Sequence, residues 1–507
     1  MAQAKIQFFC NGVSGKPLKS GLKLREFPVG QRGQVVVSTS NIFADRSCRG
    51  QFPTRNVYRS APPPCFQRRF VQLSRPWQLR RLVSSAAADG FALGDGANTS
   101  EAAVSQRKST FLQAVLNVMN ILMGVGLLSI PYALRQAGWL GLAVLAFLGF
   151  VTNYAGKALI EAHAVVRKRT GKETVGYEDI AEAALGRAGR ALVSAIMYVE
   201  LFGTCALLFI LQGDNLTNLL GKSVFATKKH AMIAAAAVMI PTVWLPDVTA
   251  LSYLGFLGVI ATISVVGTVI FTFATGGYVP GAETALINPT SLPLTFGIMA
   301  FVYAGHGVFP SIQASMQKPK DFDKVLNLAY ALVGTCCALI AALGYYMYGN
   351  RVADVIIFSL PAGPLALLCS CLILINPLTK YALTLEPVCA AVQGSGLMAR
   401  LQSGLRRVSI RGIVAVGTLV SAMYVPYLAM VMSLIGSVLT ISVSVFLPAL
   451  FHLKLCHGNS GSEQNTRYSK GWDYTCLVVS LVCAVSGTAA ALKGLAEQIA
   501  AASLTVA

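Results

Sequence analysis

Gly124-Val125-Gly126-Leu127-Leu128-Ser129-Ile130-Pro131 interrupts an apolar stretch that is otherwise long enough to cross a membrane. Gly305-His306-Gly307-Val308-Phe309-Pro310 interrupts a second stretch 181 residues later. Gly and Pro both weaken a helix, Pro the more strongly because it lacks an N–H and clashes with the preceding turn. In hydrocarbon every backbone polar group needs a partner, so irregular backbone persists there only against protein or a watery cavity. Two interrupted spans at matching places in two halves of a chain point to a transporter's substrate site. Gly124 and Gly126 also fit a plain close-packing role between helices. Pro131, and the return of the pattern at 305–310, favour a real break.

Composition sets the class. The chain has 507 residues, 54% hydrophobic and 12% charged, with a mean hydropathy of +0.60. A span needs roughly 20 mostly apolar residues to cross about 30 Å of hydrocarbon. From Phe111 onward such stretches recur with little pause. The net charge of +20 would suit nucleic acid, but its distribution argues against that partner. Residues 1–100 hold 15 Lys and Arg against four acids, Glu26, Asp45, Asp89 and Asp95. The twelve Cys are scattered, with no Cys-x-x-Cys pair. Cys205, Cys336, Cys337, Cys369, Cys371 and Cys389 fall in or near apolar spans, as small packing residues do.

Residues 1–107 read as a basic tail without regular structure, with no stretch long enough to span. The segment from Arg46 to Arg81 has nine Arg and no acid. Arg-rich, Ser-bearing, acid-poor amino termini look like organelle transit peptides. A cytosolic tail attracted to anionic lipid fits the same composition. Residues 108–493 form the transmembrane region, and 494–507 a short carboxyl-terminal tail.

Eleven spans are expected, at 111–134, 138–161, 191–213, 231–246, 250–274, 292–313, 325–348, 364–390, 408–426, 427–452 and 473–493. The stretch 412–453 must turn, because 42 helical residues would run about 63 Å, twice a bilayer core. Val425-Pro426-Tyr427 is the natural place. With the amino terminus inside, the inside loops hold 16 basic residues and the outside loops five: Arg135, Lys222, Lys228, Lys229 and Arg351. That bias supports the orientation.

Charges at membrane depth are costly and are functional candidates by default. Glu200 and, at its end, Asp214 lie on the third span, His306 on the sixth, Lys380 and Glu386 on the eighth. His306 sits inside the second break, and imidazole titrates near physiological pH. It is a candidate for proton coupling; a neutral ring bonded to a carbonyl freed by the break is the alternative. Lys380 lies in Asn376-Pro377-Leu378-Thr379-Lys380-Tyr381-Ala382-Leu383 and offers a fixed or switchable cation. Snorkelling, or pairing with Glu200 or Glu386, is the alternative. Asn120, one turn before the first break, can serve freed backbone or a substrate carboxylate. Ser129 reads mainly as a packing or capping residue. No Walker loop, His-Glu-x-x-His string or Gly-x-Ser-x-Gly elbow is present, so an enzyme, a cofactor and a metal site are not expected.

Taken together, Asn117-Val-Met-Asn120-Ile-Leu-Met-Gly124-Val-Gly126-Leu-Leu-Ser129-Ile-Pro131-Tyr132 with Gly138-Trp139, Gly305-His306-Gly307-Val-Phe-Pro310-Ser-Ile-Gln-Ala-Ser-Met316, and Asn376-Pro377-Leu-Thr-Lys380-Tyr-Ala-Leu383 resemble the amino acid/auxin permease family, and within it the vacuolar amino acid transporter 1 type. The resemblance covers roughly residues 108–492. It implies an all-α, polytopic LeuT-like core in which spans 1–5 and 6–10 form an inverted repeat, with discontinuous helices 1 and 6. It implies proton-coupled movement of neutral amino acids. Backbone around Gly124, Gly126 and Ser129 would receive the substrate carboxylate, and backbone near Gly305 and Gly307 the ammonium. It implies a vacuolar membrane, whereas the basic tail departs from the acidic, Ser-rich termini of vacuolar members and suits a plastid envelope. The partners expected are thus an amino acid, protons and the lipid bilayer, with no nucleic acid. An amino-acid sensor with little flux and a channel are the rival readings.

Overall fold

The computed structural model describes residues 109–172, 175–221, 224–225, 227–244, 249–394, 403–457 and 467–506. The basic tail, with its transit-peptide reading, lies outside the described residues. The regular elements among the described residues are all helices, and the one β contact is an isolated bridge between Ser109 and Met316. The helices are α1 Phe111–Leu122, α2 Gly126–Ala137, α3 Leu140–Thr170, α4 Tyr177–Leu220, α5 Lys228–Thr242, α6 Thr249–Ala274, α7 Leu292–Val302 and α8 Phe309–Ser315. They continue as α9 Phe322–Tyr348, α10 Pro364–Gly394, α11 Ser403–Tyr424, α12 Leu428–Ile435, α13 Leu447–Cys456 and α14 Lys470–Val506.

Among the described residues, eight helical segments are long and apolar enough to cross a membrane, and the bent pair α1–α2 makes nine. The two other expected crossings coincide with α5 and α6. The 15 residues of α5 run only about 22 Å, short of a hydrocarbon core of about 30 Å. In α6 the part that stands out as an apolar helix is Ile260–Ala274. The turn expected near Pro426 is present, between Tyr424 and Leu428. α14 runs on past the expected last span, through the short carboxyl-terminal tail, to Val506.

Both interruptions are breaks in the chain's course. α1 and α2 meet at 54°. Thr110 caps α1, accepting from the Gln113 N–H, but α2 starts at Gly126 with no side-chain cap. α7 stops at Val302, Gly305 takes φ 135, and a 3₁₀ turn at His306–Val308 leads into α8. That φ lies in the region where only glycine is free of strain.

The breaks are packed into one another. A Cβ at Gly126 would lie 2.8 Å from Val302 Cγ2 and 3.1 Å from Val302 Cα. A Cβ at Gly305 would overlap Ile121. Each break therefore lets the other's preceding half-helix approach. The half-helices pair off accordingly. Thr295 Oγ1 donates to Ala133 O at 3.1 Å and Ser291 Oγ to Gln136 O at 2.8 Å, which joins α7 to α2. Ser109 N donates to Ser315 O at 2.8 Å, which joins the start of α1 to the end of α8.

The stretch from α12 to α13 is continuous but carries two π-helical turns, Gly436–Thr440 and Ser442–Phe446. Here α7 crosses it at near backbone contact. A Cβ at Gly297 would overlap Ser433 O, and one at Gly436 would overlap Gly297 O. On the outer side α14 exposes Val478, Leu481 and Val485, each more than 60% accessible. Apolar side chains so placed on a chain of spans face lipid.

The Gly297 crossing predicts a clear asymmetry among glycines. Gly297→Val forces α7 away from the π-turn, and overpacking of this kind costs about 1–3 kcal/mol or more. Gly267→Ala, whose new methyl meets nothing within 4 Å, leaves stability unchanged or slightly raised. Thermal unfolding of the two purified variants in detergent checks this. Equal melting temperatures would sink the proposed contact.

Candidate functional site

The two breaks open onto one cavity of about 850 Å³. Sites for small molecules commonly occupy about 300–1,000 Å³, with apolar walls and a few placed polar groups. The walls here are mainly apolar: Ile121, Leu122, Val125, Met197, Leu201, Leu208, Phe301, Val308 and Leu383 among them. The polar groups are Asn120, Glu178, Tyr198, Glu200, Thr204, Lys380 and Thr384. The cavity runs from the breaks towards Glu178 in the first turn of α4 and Ala391 near the end of α10.

Backbone is the main polar resource at the breaks. The first N–H groups of a helix have no intrahelical partner and carry the positive end of its dipole, and the last carbonyls carry the negative end. α2 presents an uncapped amino end at Gly126, and Gly124, Val125 and Gly126 all line the cavity. α7 presents its carboxyl end at Phe301–Ala304, beside Gly305 and Gly307. An uncapped amino end beside a carboxyl end suits a zwitterion.

Lys380 enters from α10. Its Nζ donates to Asn120 O, at 3.4 Å, in the last turn of α1. A cation at a helix carboxyl end is favourably placed, and it serves a carbonyl that the break leaves without its usual partner. Asn120 thus takes part through its backbone as well as lining the cavity. Lys380 does not pair with Glu386, because Glu386 is held by Arg411 at 2.5 Å. Arg411 Nη1 also donates to Val243 O at 2.7 Å, so this buried arginine joins α5, α10 and α11. In the sequence Arg411 reads as one more inside-loop charge. Only the packing reveals its interior place.

Glu200 lines the cavity from α4 and accepts from Thr440 Oγ1 at 2.6 Å. Thr440 stands in the first π-turn, and nothing in the residue pattern marks it. π-turns within longer helices are frequent at functional sites. Glu178, Tyr198 and Arg190 are likewise unmarked in the sequence. The Tyr198 hydroxyl donates to Glu178 Oε1 at 3.0 Å, and Arg190 ties Glu178, Asp179 and Glu182. They form a polar rim at the end of the cavity.

His306 and Ser129 are placed away from that cavity. The His306 ring is fully buried and turned towards α3, where Nε2 donates to Thr152 O at 2.9 Å. A carbonyl can only accept, so this bond fixes the proton on Nε2. The ring packs 4.7 Å from Phe309, with the Tyr330 hydroxyl 3.5 Å from Nε2. Its Nδ1 has no hydrogen-bond partner among the described residues. Ser129 is also fully buried, with an unpartnered hydroxyl. Of the residues singled out in the sequence, the cavity brings together Asn120, Gly124, Gly126, Glu200, Gly305, Gly307 and Lys380, and leaves out Ser129, His306, Asp214 and Glu386.

Towards the other end of α4 a second polar group joins the helices. Lys228, at the start of α5, pairs with Asp214 of α4 at 2.5 Å and donates to Pro426 O at 2.6 Å. Arg135 of α2 donates to Val352 O at 2.8 Å. Asp354, in the connection between α9 and α10, lies within the electrostatic reach of Lys228 and Arg135. Burial pushes its carboxyl above the usual range, and the two cations offset this in part.

Comparison with known proteins bears on the membrane region. Residues 107–493 match the family model described as "Transmembrane amino acid transporter protein". Amino acid transporter AVT1B of Arabidopsis thaliana is 35% identical over 409 residues, covering 77% of this chain and 72% of the relative. AVT1D of the same plant is 33% identical over 406 residues, covering 77% and 71%. A vesicular inhibitory amino acid transporter of Xenopus laevis is 28% identical over 441 residues, covering 81% and 83%. In structure the chain is similar to MhsT bound to L-phenylalanine, with a TM-score of 0.50 at 14% identity over 75% of this chain and 98% of that one. It is similar to inward-facing Mhp1, with a TM-score of 0.50 at 13% identity over 78% and 92%. At such identities the likeness concerns the fold alone, and it is a LeuT-like one. The chain belongs to the transmembrane amino acid transporter family: it is a multi-pass membrane protein and an amino acid transporter, not an enzyme.

Proposed function

We propose that the protein is a proton-coupled secondary transporter of neutral amino acids that works by alternating access around its two breaks. The observation that carries this reading is the single cavity on which an uncapped helix amino end and a helix carboxyl end converge. The substrate carboxylate sits at the amino end of α2, against Gly124 and Gly126, with Ser129 behind it. The ammonium sits at the carboxyl end of α7, near Gly305 and Gly307. Side-chain space is apolar, which favours uncharged substrates. The names of the relatives support amino acids as the substrate class. The vacuolar membrane is the address in this reading, by kinship with the vacuolar type, with the plastid envelope as the alternative that the basic tail keeps open.

The reading extends to architecture. Eleven crossings, counting α5 and α6, place α1–α2 and α7–α8 as the first helices of two inverted five-helix halves, with α14 peripheral. The reciprocal fit of Gly126 with Val302 and Gly305 with Ile121 supports such a pseudo-twofold relation. The cavity then opens towards the face of the basic loops, while Lys228, Asp214 and Arg135 close the other face.

In this scheme Lys380 supplies a fixed positive charge at the carboxyl end of α1. His306 is the proton-linked group: Nε2 keeps its proton on Thr152 O, and the unpartnered Nδ1 takes the second. Uptake of a panel of labelled amino acids into proteoliposomes, under an imposed pH gradient, tests the whole reading. Saturable binding with no movement under any gradient would instead make the protein a sensor.

Lys380→Met removes a charge-assisted contact at α1, worth about 1.5–3 kcal/mol, so uptake should fall roughly 10- to 100-fold. Wild-type rates in that variant would remove Lys380 from the site. His306→Gln should flatten the pH dependence of uptake while keeping a donor for Thr152 O. An unaltered pH profile in that well-folded variant would exclude His306 as the proton-linked group.

Asp354 gives the sign of a further pH effect. Its carboxyl holds a proton at higher pH in the closed arrangement than in water, so closure gains as pH falls through the raised value towards the ordinary carboxylate range. Hydrogen exchange over residues 350–360, corrected for intrinsic rates, should show greater protection in acid. Asp354→Asn should abolish that dependence. The same dependence in the variant would assign it elsewhere.

A further inference from the structure

His452 is fully buried near the end of α13 and touches two carboxylates. Its Nδ1 is 2.7 Å from Asp473 Oδ2, at the start of α14, and its Nε2 is 3.3 Å from Glu161 Oε2 on α3. His457 follows α13, and its Nε2 lies 3.9 Å from the same Asp473 oxygen. That nitrogen is buried and makes no hydrogen bond among the described residues. One ring nitrogen each of His452 and His457 and an Asp473 oxygen all lie within 4.8 Å of one another. None of these residues lines the cavity between the breaks.

We propose that His452, His457 and Asp473 form a site for a divalent metal of the zinc class, where α3, α13 and α14 meet. Two imidazoles and one carboxylate, with a fourth position open, are a donor set that zinc takes readily. Ligand atoms about 2.0–2.1 Å from a tetrahedral metal stand about 3.3 Å apart, so each of the two separations from Asp473 is within about 0.6 Å of that spacing. The surroundings complete the pattern. A metal-binding histidine usually donates its other ring N–H to a carboxylate, which fixes its orientation. Glu161 stands in that place for His452, and it is itself held by the Arg467 N–H at 3.1 Å. The Tyr154 hydroxyl donates to the other Asp473 oxygen at 3.0 Å, aiming Oδ2 at the two rings. The unpartnered His457 nitrogen is the atom that a hydrogen-bonded His452 bridge alone leaves without a role.

Occupancy would fasten the segment after α13 to the start of α14. Just before α14, Arg467 and Tyr468 both reach Asp323 of α9, at 3.4 and 3.2 Å. The site is thus a staple between the chain's last span and the bundle, remote from the substrate.

The test uses full-length protein in nanodiscs, stripped with chelator and titrated with Zn²⁺. Equilibrium dialysis with elemental analysis should give one tightly held Zn²⁺ per chain, and Co²⁺ should give the visible bands of a tetrahedral site. His457→Ala alters a residue at the rim of the cluster, so it should fold; size exclusion and unfolding without metal verify this. It should lose the bound metal and the Co²⁺ bands. Glu161→Gln should weaken binding about 10- to 100-fold while keeping the stoichiometry. Zn²⁺ should raise the melting temperature of the wild type and leave that of His457→Ala unmoved. No stoichiometric binding, or binding that both variants share with the wild type, would overturn the proposal and leave a bridge of hydrogen bonds between two carboxylates.

Discussion

Two broken helices that cross through each other's gaps are the constraint on which the rest depends. Gly126 admits Val302, and Gly305 admits Ile121. Neither break could persist alone in hydrocarbon, because each leaves N–H and C=O groups that lipid cannot satisfy. Placed together they share one cavity, and the neighbouring helices supply what the backbone lacks. Lys380 serves the carbonyl of Asn120 at one break, and the ring of His306 is anchored on Thr152 at the other. The positions that line the candidate site are the ones where continuous helix has been given up.

This arrangement separates the polar groups into three sets. Glu200, Lys380 and the backbone of the breaks face the cavity. Asp214, Lys228 and Arg135 join helices towards the other end of α4, and Glu161, His452 and Asp473 join α3, α13 and α14. Buried charges in a membrane protein are held by partners or face water. Here Glu386 with Arg411 is the clearest pair, a contact that joins three helices without touching the cavity.

Much of the site was legible before any coordinates. Gly-x-Gly followed by Pro, twice, at equivalent points of two apolar spans, is a backbone signal, and backbone signals survive without knowledge of packing. Lys380 was visible because a charge in an apolar run is rare. Other buried polar groups are hidden in the sequence for definite reasons. Thr440 meets Glu200 only because a π-turn rotates it inward, and Thr is common in any span. Arg411 and Asp473 lie near predicted span ends, where charges ordinarily face water. Both are buried by neighbours far off in sequence.

The sequence by itself determined the class, an all-helical membrane bundle with two interrupted spans, because hydropathy and helix breaking are local properties of the chain. Only the tertiary structure decided which way each polar side chain faces. His306 lies within the second break in sequence, yet its ring turns from the cavity towards α3. Asn120 and Lys380 stand 260 residues apart and meet across the cavity wall. Rotation about a helix axis and the meeting of distant helices are set by packing against neighbours, and no single helix carries that information.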